Sequence, residues 1–146
     1  MPATLLTAKT TLISVIEALI PPDETGRAYR HLDSERYFPS GASGHRTFWF
    51  EGGKLAEQLH VDTLIAEYRH TFKLFVRLSS AGYNISTSFD SLANEAVLIS
   101  RAINKRATSW GSGVNLVQCE EVAMTQDEGE DFILEFSLVC ECQETL

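Results

Sequence analysis

The stretch AEYRHTFKLFVRLSS, residues 66–80, alternates apolar and polar side chains for longer than most strands run. Read from one residue pair earlier, Leu64, Ala66, Tyr68, Phe72, Leu74, Val76 and Leu78 share one parity. Glu67, Arg69, Thr71, Lys73 and Arg77 share the other. A period of two over this length predicts a strand with one dry face and one wet face. His70 is the polar residue on the dry parity. Unbroken from Thr63 to Ser79, the strand would run roughly 55 Å at 3.3 Å per residue, whereas five or six residues are usual. Such a strand must bend, carry a bulge, or project beyond its own domain to meet something else.

The segments on either side supply the rest of a sheet and its cover. Upstream, RTFWFE (46–51) reads as a short strand with Phe48 and Phe50 on one face and Trp49 on the other, and Gly52-Gly53 breaks it. Residues 54–62 fit either a turn of helix or a connection. Residues 23–45 are polar and rich in Gly, Ser and Pro, which predicts a long irregular loop. Before that loop, Leu5, Leu12, Ile13, Ile16, Leu19 and Ile20 form one helical stripe that Pro21-Pro22 stops, with Thr4 or Thr7 as its cap. Downstream, residues 88–106 predict a second helix. Its buried stripe is Phe89, Leu92, Ala96, Ile99 and Ile103, its cap Ser88, and its last turn carries Lys105 and Arg106. Two strands close the chain, about 114–125 and 131–142, around the acidic turn QDEGE. The reading is one α+β domain over 1–146 in the order α-β-β-α-β-β, a mostly antiparallel sheet with two helices packed on one face.

Composition narrows the partners. The chain has 146 residues, 44% hydrophobic and 22% charged, with a net charge of −8. That content suits one packed domain and argues against disorder. The negative charge argues against a partner held by its phosphates, whether nucleic acid or anionic lipid. No window approaches 18 apolar residues, and Lys9 and Glu17 interrupt the N-terminal apolar stretch, so neither a membrane span nor a signal peptide is expected. Three cysteines make no disulfide framework and suit a reducing cytoplasm.

Chemistry finds little purchase. Cys140 and Cys142 share a strand face, and the closing hairpin brings Cys119 near them. Structural zinc wants four ligands, commonly with CxxC spacing, so the expectation is three small core residues and no metal or other cofactor. His31, His45, His60 and His70 form no HExxH or His-x-His pair, and His70 is expected to be a hydrogen-bonded core residue. SWGSG (109–113) lacks the spacing of a nucleophile elbow, and GASG (41–44) lacks the ending of a phosphate loop. No enzyme is expected. The aromatic and arginine residues outside the predicted core suit protein contacts instead: Tyr29, Arg30, Tyr37 and Phe38 in the long loop, Trp49 on its strand, Trp110 in a Gly/Ser loop, and Arg69 and Arg77 on the wet face. Asp127, Glu128, Glu130 and Asp131 form an acidic tip which, repeated around a ring, makes a negative collar.

The order of these elements resembles the tail terminator (tail completion) proteins of lambda-like long-tailed bacteriophages. An amphipathic helix ends near residue 20, a long loop follows, and then come a strand pair with one very long member, a second helix and a hairpin with an acidic turn. The resemblance is one of pattern over nearly the whole chain, without a short motif. It implies a homo-oligomer, a hexameric ring that caps the tail tube, stops its polymerisation and meets the head–tail connector. It also implies a place in the virion at the head-proximal end of the tail, with assembly in the bacterial host cytoplasm. The major tail tube protein would be a partner, and DNA would pass through without specific binding. The long strand would extend a sheet across the subunit boundary or frame the lumen. The long loop departs from more compact members. Rival readings are another head–tail joining ring component, or a small cytoplasmic enzyme or ligand-binding module built on His70 and the cysteines.

Overall fold

The computed structural model describes residues 3–21, 28–32, 44–79, 89–105, 110–126 and 131–145. Its elements run α1 (Ala3–Glu17), β1 (Arg30–His31), β2 (Thr47–Gly52), β3 (Glu57–Val61), β4 (Ile65–Leu78), α2 (Phe89–Lys105), β5 (Val114–Gln126) and β6 (Phe132–Thr145). The α+β class holds, with two helices on one face of a six-stranded, mostly antiparallel sheet. Its strand order is β1-β2-β4-β6-β5, with β3 beside β4 on the edge that β2 also uses.

The period-two stretch is the middle of this sheet. β4 pairs with β6 without a shift from Ile65↔Thr145 to Leu78↔Phe132. Its other edge is shared, β2 taking Phe72 to Arg77 and β3 taking Ala66 to Arg69. The long strand is therefore flanked on both sides by its own chain, and its length is matched by β6. It does not itself extend the sheet to a neighbour. The irregularities fall on its neighbours instead: a bulge in β3 between Gln58 and His60, and two in β5.

The dry parity builds the core. Leu74, Val76 and Leu78 of β4 meet Phe136, Leu134 and Leu138 of β6 under Leu5, Ala8, Leu12 and Ile16 of α1 and Leu92, Ile99 and Ile103 of α2. Each such Leu, Ile, Val or Phe side chain withdrawn from water contributes about 1.5–3 kcal/mol, before the cost of ordering the chain. α1 stops at Glu17, ahead of the prolines, with Ala18 and Leu19 closing its last turn by bonds to Ser14 and Ile16. The residue preceding a proline is pushed out of the helical region. Ile20 is consequently 85% exposed and leaves the predicted stripe.

Two further strands depart from the predicted order. Residues 57–61 are a strand, and Arg30–His31 adds a short parallel one beside β2 inside the predicted loop. The helix cap Ser88 lies outside the described residues.

The Trp110–Gly113 turn carries the chain from the second helix layer into β5. Gly113 has φ 80°, and its carbonyl accepts the Gln143 N–H at 2.7 Å. A Cβ there would lie 2.7 Å from the Gln143 carbonyl oxygen and 2.7 Å from Thr4 Cγ2. Gly113→Ala is therefore expected to destabilise the fold by more than about 1 kcal/mol, read as a lower urea midpoint.

Candidate functional site

The wet face of β4 and β6 is a ladder of cross-strand ion pairs. Arg69 bonds Glu141 at 2.9 Å, Lys73 bonds Glu135, and Arg77 Nη1 bonds Asp131 at 3.0 Å. Acidic neighbours crowd the cations: Lys73 feels Glu135 first and then Glu121 and Glu51, so its ammonium is held above the ordinary lysine range. At the β2 end the same face turns apolar. Trp49 stacks on Phe75 with ring centroids 5.6 Å apart, and the Arg77 guanidinium lies 5.9 Å from the Trp49 ring.

This arrangement revises several of the predicted contact residues. Trp49 faces away from Phe48 and Phe50 as expected, yet it is 6% exposed because Phe75 and Arg77 cover it. Arg77 and Asp131 are buried too, paired with each other, because the β4–β6 register sets Asp131 diagonally beside Arg77. Asp131 is thus a structural counter-ion and not part of an exposed acidic tip. Tyr29 and Trp110 are also core residues and not exposed aromatics. Trp110 is drawn in where Thr11 of α1 donates to its carbonyl at 3.3 Å, and the bare Cα of Gly111 lets the turn approach Thr7. Arg30 is exposed on β1, and the Arg69 side chain is 39% exposed. Tyr37, Phe38, Asp127, Glu128 and Glu130 lie outside the described residues.

Tyr29 belongs to a buried polar cluster that sequence reading missed. Its hydroxyl donates to Glu95 of α2, and Arg46 Nε donates to the other carboxylate oxygen at 2.7 Å. All three side chains are at most 2% exposed. Burial, and then the Glu95 charge, hold the Tyr29 phenol far above its ordinary range. Arg46 takes the left-handed conformation at φ 59°, a strained choice for a non-glycine residue. Its N–H bonds the Arg77 carbonyl while its own carbonyl accepts the Arg30 N–H. The cluster thereby ties α2, the start of β2 and residues 28–32 together. A glutamate within an apolar helical stripe, four residues before Ile99, was the available signal.

The cysteines and His70 occupy the dry face. Cys140 and Cys142 are buried with their sulfurs 3.4 Å apart, and Cys119 is buried diagonally across on β5. Burial pushes the Cys119 thiol up to about 11. The hydrogen bond between the free Cys140 and Cys142 thiols holds the Cys140 proton more tightly and the Cys142 proton less so. Among the described residues, no group of three or more His, Cys, Asp or Glu is placed to hold a metal. His70 is fully buried, and its Nδ1 accepts the Ala56 N–H at 2.9 Å. The clefts open elsewhere: between α1 and β2 over Leu5, Lys9, Phe50 and Phe72, beside α2 over Ala93, Ala96 and Met124, and at the C-terminal end of β6.

Exposed apolar side chains gather on the β3 side of the sheet. Leu55, Leu59, Val61 and Leu64 are each 41–67% exposed around β3 and its turn. Asp62 shapes that turn by accepting the N–H groups of Leu64 and Ile65, which hold its carboxyl below the ordinary range.

No protein-family description and no curated protein matches the chain. Among solved structures, 17 chains match. One belongs to a structure titled "Virion of native gene transfer agent (GTA) particle", with a TM-score of 0.55 and 11% identity, covering 97% of this chain and 92% of that one. At that identity the two chains share a fold.

Proposed function

We propose that this protein is a structural component of a tailed-phage or phage-like virion, acting as a tail terminator in a ring at the head-proximal end of the tail. The observation that carries the reading is the likeness of fold, end to end, to a chain of a gene transfer agent virion. Two features support it. The exposed apolar group on the β3 side suits contact with another protein surface. A net charge of −8 lets DNA pass a ring without being gripped.

In this role the ring caps the tail tube, ends its polymerisation and presents a face to the connector. Solution mass by light scattering, over a range of concentration and with and without magnesium, tests it. A six-fold species is expected, either for the free chain or on addition of purified tail tubes. A chain that stays monomeric alone and leaves tube ends unbound would overturn the assignment.

A further inference from the structure

We propose that His70 is a proton-operated latch that holds the β2–β3 connection and the start of β3 against β4. The observation is a single hydrogen bond in an unusual setting. Ala56 N–H donates to His70 Nδ1 at 2.9 Å, and Ala56 itself is held at φ 57°, a strained conformation for a residue with a Cβ. Because Nδ1 accepts, the ring proton sits on Nε2, which is buried without a hydrogen-bond partner among the described residues. The imidazole is therefore built in as a neutral acceptor.

A second proton must go to Nδ1. It would then point at the Ala56 N–H, so the acceptor disappears and the strained turn loses the contact that holds it. It would also place a positive charge on a ring with no exposure to water. The groups that face this ring decide whether the charge is tolerated. On β6 these are Cys140 directly opposite, Cys142 one pleat further and Glu144 beyond; on β4, Tyr68 is two residues away; Glu57 of β3 follows Ala56. From α1, Thr4 reaches Glu144, while Lys9 lies over Phe50 and not over this ring. Glu144 favours the protonated ring, but burial outweighs it, and the net effect holds His70 below its ordinary 6.5.

The sign follows. The latched form binds fewer protons than the open form, so the latch is complete above about 6.5 and weakens as pH falls below it. The other ties of the segment are the short β3–β4 ladder, from Glu57↔Arg69 to Val61↔Ala66, and the Asp62 turn. Thr71 and Lys54 pin its root through backbone and hydroxyl bonds. Beyond that, β3 is five residues long, lies at a sheet edge and is bulged. Leu55, which walls the cleft over Phe50 and Phe72, would swing out with it.

Hydrogen exchange of the full chain, followed by mass spectrometry from pH 7.5 to 5.0 and corrected for the intrinsic rate, tests the latch. Protection of residues 54–64 is expected to fall by about tenfold per pH unit below about 6.5, the limit for one linked proton, while the β4–β6 ladder stays unchanged. His70→Asn offers a neutral oxygen to the Ala56 N–H and should flatten this dependence. Wild-type protection that does not vary with pH, or an unchanged dependence in the variant, would overturn the proposal. If the variant does not fold, nitrogen NMR of wild-type His70 decides: its titration must coincide with the loss of Ala56 protection, and a separate midpoint rejects the latch.

Discussion

Glu95→Ala is expected to cost about 3–5 kcal/mol of unfolding free energy, read as a lower urea midpoint at unchanged slope. The carboxylate is 1% exposed and holds two buried partners, the Arg46 guanidinium and the Tyr29 hydroxyl. Truncation takes the Glu95 counter-charge from a guanidinium that has no exposure to water, and a buried cation that loses a counter-charge is costly. A volume-matched replacement of both charges, Arg46→Met with Glu95→Leu, is expected to lie near the wild type or above it, since an apolar pair has no such cost. Tyr29→Phe removes one donor and should cost about 1–3 kcal/mol. A single-variant cost below about 1 kcal/mol would mean that the cluster does not join α2 to β2 in the way its geometry implies.

How far the sequence revealed this architecture varies with the kind of signal. The parity of Ala66 to Leu78 marked β4, because burial on one face leaves a mark at every second residue, whereas Leu64, on the same parity, lies in the turn before the strand and is exposed. The stripes of Leu5, Leu12, Ile16 and Leu92, Ile99, Ile103 marked the helices for the same reason at a period near 3.6. β3 left no such mark, since its side chains face largely outward and its bulge breaks the alternation at Leu59. The contact residues failed differently. Tyr29 and Trp110 lie in polar surroundings in the chain and Arg77 on the wet parity of its strand, yet they are buried through partners distant in sequence: Glu95, α1 and Asp131. Local composition cannot show a counter-ion 54 residues away. His70 succeeded because its place on the dry parity was itself the signal.

Asp131→Lys should be at least as damaging as a broken buried ion pair, about 3–5 kcal/mol, because it sets a cation against Arg77 where both side chains are less than a tenth exposed. Arg77 also lies over Trp49, so its displacement would loosen the apolar end of the wet face. Asp131 must therefore be left intact when the acidic tip is probed for a role in assembly. Reversal of Asp127, Glu128 and Glu130 alone is expected to keep the unfolding free energy within about 0.5 kcal/mol of the wild type, while particle assembly or DNA passage falls in a complementation assay. Fully functional particles from that triple variant would remove the tip from the proposed ring mechanism. A triple variant that unfolds like Asp131→Lys would instead place the whole turn among the structural counter-ions. The two readouts, stability and assembly, separate a residue that holds the sheet together from one that meets a partner.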